Sequence, residues 1–148
     1  MDIAASYVFN AAPDRAWALL MDPAVLAACV PGCDRFEPVG DDRYAVHVTV
    51  GLAAITGKYS GTVAVSDKVE PTSYRLAVDG QGRAGFVNGS TAITLRPEGA
   101  TTIVDVKASV QVGGAIARLG QRLIGAAAKL MMDQFFSCLQ SKLAAPPN

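Results

Sequence analysis

The chain has 148 residues, 51% of them hydrophobic, and its 13 acids balance its 13 Lys and Arg to a formal net charge of zero. That length sustains one well-buried core, and the charge balance does not point to nucleic acid as a partner. No apolar run reaches the ~18 residues of a membrane span, and the opening MDIAASYVF lacks the basic-then-apolar order of a signal peptide. A cytoplasmic protein whose three cysteines stay reduced is therefore the expectation.

Residues 3–9 read as a strand, with Tyr7 and Phe9 on one face and Val8 on the other. Pro13 suits the first turn of a helix, and Asp14 complements the dipole there. Trp17, Leu20 and Met21 share a face of that helix. Asp22-Pro23 ends it and starts another, with Asp22 as N-cap and Pro23 at the first helical position. The second helix runs from Ala24 to Cys29 and stops at Pro31-Gly32. The period then changes to two. Cys33 to Val39 is a weak strand. Tyr44, Val46, Val48, Val50 and Leu52 alternate with Ala45, His47 and Thr49. Tyr59, Val63, Val65 and Val69 alternate with Lys58, Ser60, Thr62, Ser66 and Lys68. Tyr74, Leu76 and Val78, then Ile93 and Leu95, then Val104 to Val112 repeat the pattern. Such alternation marks an antiparallel sheet with one wet and one buried face. Gly40-Asp41-Asp42, Pro71-Thr72-Ser73 and Pro97-Glu98-Gly99 supply turns.

Gly113 to Leu143 contains no proline and reads as one long helix. Ile116, Gly120, Leu123, Ala127, Leu130, Met131, Gln134 and Cys138 recur at helical spacing and are its expected inward stripe. Arg118, Arg122, Lys129, Asp133 and Gln140 fall opposite. Met132 and Phe136 project among these charges, either buried against a strand edge or exposed as a contact for a partner or a membrane surface. One domain over residues 1–143 with a disordered tail at 144–148 follows. Strand, two short helices, about six strands and a long helix together make an α+β helix-grip architecture: a curved antiparallel sheet of about seven strands around a C-terminal helix.

Gly80-Gln81-Gly82-Arg83-Ala84-Gly85 has the form of a dinucleotide fingerprint, but a strand-like stretch follows where that motif needs a helix. It reads as a strand end and turn. Cys29 and Cys33 flank a proline turn, but zinc would want two more ligands, and His47 is the only histidine while Cys138 lies far along the chain. One histidine on the polar face of a strand and no nucleophile elbow make a hydrolytic triad improbable. Neither a catalytic group, nor a metal site, nor a cofactor is expected.

Asp22-Pro23, Leu26 and the Cys29–Cys33 segment CVPGC, Gly57-Lys58-Tyr59, GFVNG at 85–89, VGG at 112–114, LGQRLI at 119–124 and Phe135-Phe136 resemble, in that order, the carbon monoxide dehydrogenase G-subunit family of the START-like (SRPBCC) superfamily. The resemblance implies a deep hydrophobic cavity. It also implies a non-catalytic accessory role to a molybdenum hydroxylase such as carbon monoxide dehydrogenase, through membrane recruitment or carriage of an isoprenoid quinone or lipid, at the inner face of the membrane. The inward faces Tyr44, Val46, Val48, Tyr59, Val63, Leu76 and Val78 are expected to meet Leu123, Ala127 and Met131. Gly120 and Ala127 would leave space, and Phe86 would stand at the mouth. Arg118, Arg122, Lys129, Met132 and Phe136 are the expected partner or membrane surface. Two other readings stay open: an enzyme of the polyketide aromatase/cyclase kind, which needs titratable groups inside such as Asp105 or His47, and an adaptor with a filled core.

Overall fold

A computed structural model describes residues 1–52 and 55–144, the last by its backbone alone. Residues 145–148 of the expected tail lie outside the described residues. The elements follow in the order β1 (Asp2–Phe9), α1 (Pro13–Leu20), α2 (Pro23–Cys29), β2 (Cys33–Gly40), β3 (Arg43–Val50), β4 (Gly57–Val69), β5 (Ser73–Gly82), β6 (Gly85–Glu98), β7 (Thr101–Gly113), a 3-10 helix (Gly114–Leu119) and α3 (Gly120–Ala144). The strands form one seven-stranded antiparallel sheet in the order β1-β7-β6-β5-β4-β3-β2. Pro13 opens α1. Asp22 caps α2, its carboxylate accepting from the Ala24 N–H at 3.0 Å.

The sheet has two ends. The β2–β3, β4–β5 and β6–β7 turns stand at one. The β3–β4 connection, the β5–β6 turn and the 3-10 helix stand at the other. At the first end the concave face is filled. Phe9, Trp17, Leu20, Tyr74, Ile93, Leu95, Val104, Val106, Phe136 and Leu139 are all buried in one cluster. Trp17 meets Tyr74 edge to face, with ring centroids 5.4 Å apart. The buried Thr102 hydroxyl donates to the Ala11 carbonyl at 2.7 Å, so this polar group is satisfied inside the core.

α3 departs from the expected helix in two ways. It begins at Gly120 rather than Gly113, because Gly120 has φ +83°, a left-handed setting that breaks it from the 3-10 turn before it. A Cβ at Gly120 would meet nothing, so this glycine is an exposed joint and makes no room inside. The inward stripe is also turned by about one residue, or ~100°. Phe136, Leu139 and Leu143 are buried and Met132, Phe135 and Cys138 pack against them, while Leu123 is 59% and Leu130 43% exposed. Phe136 is only 4% exposed, which removes it from any surface. Its ring stacks on Tyr7 at 4.1 Å and lies 5.8 Å from Phe9. Aromatic rings already waiting on β1 decide which of two apolar stripes turns inward.

The cysteines depart too. Cys29 and Cys138 form a disulfide that ties the end of α2 to α3, and Cys33 is free. The expectation of three reduced thiols is overturned for this pair, which the folding of α3 across the sheet brings together from 109 positions apart.

Candidate functional site: the unfilled half of the concave face

The register puts Tyr44, Val63, Val78, Gly89 and Val110 in one row across β3 to β7. Val46, Gly61, Gly80, Val87 and Val112 form the next row toward the second end, and Val48, Tyr59 and Gly82 the one after. Every residue in these rows is only half-buried, as are Val65 and Leu76 nearer the filled end. The exception at this end is Val50, which is buried. The same concave face is thus packed at one end and open at the other.

Tyr44, Val46, Val48, Tyr59, Val63, Leu76 and Val78, expected on inward faces, are brought together by this pairing. Ala127 and Met131 of α3 are half-buried. Leu123 is not with them, for it points to solvent. Phe86 is not at a concave mouth either. It pairs with Gly113, and both face the convex side, where the Phe86 ring covers Gly113 so closely that a Cβ there would overlap it. The strand parity is the cause, since Val87 and Gly89 face inward.

Periodicity alone misses the glycines. Gly61, Gly80, Gly82 and Gly89 all lie on the concave face, and only register shows them as neighbours. A Cβ on Gly61 would overlap the Asp79 carbonyl oxygen, so that glycine permits a close approach of strands. Gly82 lies under the Tyr59 ring, which a Cβ would meet at 2.8 Å. The Tyr59 hydroxyl donates to the Ile55 carbonyl at 2.8 Å and so pins the ring down. At Gly80 a Cβ would find no atom nearer than 3.9 Å, which leaves space over the middle of the sheet. Phe36 of β2, stacked on Tyr44 at 4.8 Å, closes the far edge. Its weak strand carries no such signal.

Apart from tyrosines, these rows contain no ionisable side chain. Burial raises the pKa of the Tyr59 phenol and keeps it neutral. His47 and Asp105, the residues an enzyme reading would need inside, both belong to the convex side. His47 is exposed. Asp105 accepts from the Arg96 guanidinium at 2.8 Å and from Ser6 at 2.5 Å, and these bonds hold its carboxyl below the usual range. A recess of about 480 Å³ involves His47, Asp34 and Lys58. A larger one of about 860 Å³ lies at the open end between Thr56–Ser60 and Gln81–Ala84. A third, about 340 Å³, separates Trp17, Leu20 and Leu26 from Tyr44 and Val65. Among the described residues no group of three or more His, Cys, Asp or Glu is placed to hold a metal ion.

Of the expected contact surface, Arg118 and Arg122 are exposed. Lys129 donates to Asp133 at 2.7 Å and lies 5.7 Å from the centre of the Tyr7 ring, so it is already engaged. Met132 is half-buried and packs against the core, and Phe136 is buried within it. No helix among the described residues is long and apolar enough to cross a membrane.

A curved seven-stranded antiparallel sheet gripping a long C-terminal helix, with two short helices after the first strand, defines a START-like fold. A START superfamily protein of Mycobacterium smegmatis shares it with a TM-score of 0.74 at 11% identity, over 95% of each chain. A protein of Chromobacterium violaceum does so with a TM-score of 0.77 at 16% identity, over 98% of each chain. A conserved protein of Geobacillus kaustophilus is nearer, with 36% identity and a TM-score of 0.95 over 97% of this chain and 95% of that one. Within the START-like class, residues 7–144 match the family model of the carbon monoxide dehydrogenase G subunit (CoxG), and the chain belongs to that family. No curated protein sequence matches the chain.

Proposed function

We propose that the chain is a non-catalytic accessory protein that holds a hydrophobic small molecule, an isoprenoid quinone or a lipid, between the open half of its sheet and α3. It serves a molybdenum hydroxylase such as carbon monoxide dehydrogenase, as a carrier or by bringing the enzyme to the inner face of the membrane. The supporting observation is the unfilled half itself: rows of Val and Tyr on the concave face that remain only half-buried, around glycines with room above Gly80. Such a face is unfavourable in water. Each Å² of it that a ligand covers stabilises the complex by ~25 cal/mol. Membership in a family named for an accessory subunit supports the non-catalytic part.

Mass spectrometry of an organic extract from the purified native protein, beside native mass spectrometry of the intact chain, tests this. A stoichiometric quinone or lipid is the expected result. A chain that carries nothing, and stays empty after incubation with quinones and lipids, would sink the reading.

A further inference from the structure

α2 is weakly held by its own side chains. Its residues read PAVLAAC, so it carries no polar side chain, and only Cys29 is buried. Val25 packs against the edge of the core and Leu26 is half-buried. A helix this short is not stable by itself in water. The chain on either side is fixed more firmly. Trp17 and Leu20 of α1 lie in the core. Gly32 sits against β3: its carbonyl accepts from the Thr49 N–H at 2.9 Å, and a Cβ there would overlap the Thr49 carbonyl oxygen. Residues 22–31 thus span two fixed points, and the Cys29–Cys138 bond ties that span to α3. The span also borders the ligand site. Leu26 faces Tyr44 and Val65 across the recess of about 340 Å³, and Tyr44 begins the unfilled rows of the concave face. The bond can be reached from outside at one sulfur. Cys29 is buried but Cys138 is half-buried, so an incoming thiolate meets Cys138. The free Cys33 does not compete. Its thiol donates to the Arg35 carbonyl at 3.5 Å, and burial raises its pKa, which keeps it protonated and a poor nucleophile.

We propose that the Cys29–Cys138 disulfide is a redox latch beside the ligand site, closed when oxidised and opened by a dithiol reductant. One thiolate of the reductant attacks the Cys138 sulfur, the Cys29–Cys138 bond breaks, and Cys29 leaves as a thiolate. The second thiolate of the reductant then displaces Cys138 from the mixed disulfide. Two electrons and two protons pass to the protein, both cysteines end as thiols, and the reductant departs as a disulfide. The freed Cys138 thiol has an acceptor at hand, the Ala28 carbonyl 3.8 Å from its sulfur. Without the bond α2 keeps only apolar contacts, and the recess opens beside Tyr44. The purpose of the latch rests on the carrier reading, whereas the release of α2 does not.

Hydrogen exchange read by mass spectrometry on the full chain, before and after dithiothreitol, tests it with no ligand present. Thiol counting defines the two states, one free thiol when oxidised and three when reduced. Reduction is expected to speed exchange in α2 by ~10-fold or more and to leave β6 and β7 unchanged. The C29S/C138S variant should exchange like the reduced parent with or without dithiothreitol, and C33S should respond as the parent does. Release of the probe decylubiquinone should quicken by ~10-fold in the reduced form. Unchanged exchange in α2 would overturn the proposal. So would faster exchange across the whole sheet, which would make the bond a staple for the entire fold, or a chain that forms no disulfide even with diamide. Should C29S/C138S fail to fold, the response of the parent still decides. The probe separates the two claims. Uptake with equal release from both forms sinks the latch alone, and a responsive α2 in a chain that takes up no probe and yields no ligand on extraction sinks the carrier alone.

Discussion

The two ends of this sheet are built from the same kind of strand and do opposite things. At the closed end, alternating Val, Ile and Leu on β6 and β7 meet Phe9, Trp17, Tyr74 and the aromatic stripe of α3, and burial is complete. At the open end, equally apolar Val46, Val63, Val78 and Val110 meet glycines and a helix face that does not reach them, and burial stops halfway. Apolar character is thus not what separates core from cavity. The size of what stands opposite decides it, since a face becomes core only if partner atoms fill the space above it.

Substitutions that exchange the two behaviours test this contrast. The largest effect should come from Phe136→Ala, which removes a ring stacked on Tyr7 and should cost ~3–5 kcal/mol in urea unfolding. Leu123→Ala on the same helix should stay within ~0.5 kcal/mol. Equal costs would mean that α3 sits on the sheet in another rotation. Next comes Cys29→Ser, which opens the cross-link between α2 and α3 and should cost ~2–5 kcal/mol. Dithiothreitol should lower the melting temperature of the parent and leave that of the variant unchanged. At the open end, Gly80→Leu should abolish or weaken ligand retention by ~10-fold or more, by occupying space a ligand would use. Its melting temperature should stay near the parent value, because no atom crowds that position.

The smallest effect concerns pH. Burial raises the Tyr74 phenol, and burial together with the bond to Asp133 raises that of Tyr7. The folded state therefore keeps protons that the unfolded chain releases near pH ~10. This stability is fully present below that value and is lost as pH rises through it toward the folded pKa. Melting curves across the alkaline range should show the decline, and Tyr74→Phe should flatten it. Depressed Asp133 acts at the other extreme. The stability from its bonds to Lys129 and Tyr7 is present above the ordinary carboxylate range and lost as pH falls below it.

The strands are legible because alternation reports a two-faced sheet directly, and Asp22-Pro23 marks the start of α2 for equally local reasons. The rotation of α3 is not. Its sequence is apolar on nearly every side, so Leu123-Ala127-Leu130 and Met132-Phe136-Leu139 are both credible stripes until β1 supplies Tyr7 and Phe9. The same holds for Phe86, whose neighbours Val87 and Gly89 take the inward parity.

What the sequence by itself determined is the strands, the two short helices and a long C-terminal helix, their order, and the family to which those elements and the motifs between them belong, because periodicity, caps and turns act within a few residues. What only the tertiary structure decided is which apolar faces are covered, that Cys29 reaches Cys138, and that four glycines gather on one concave face. Each of these depends on residues far apart in the chain, whose adjacency strand register and helix packing alone create.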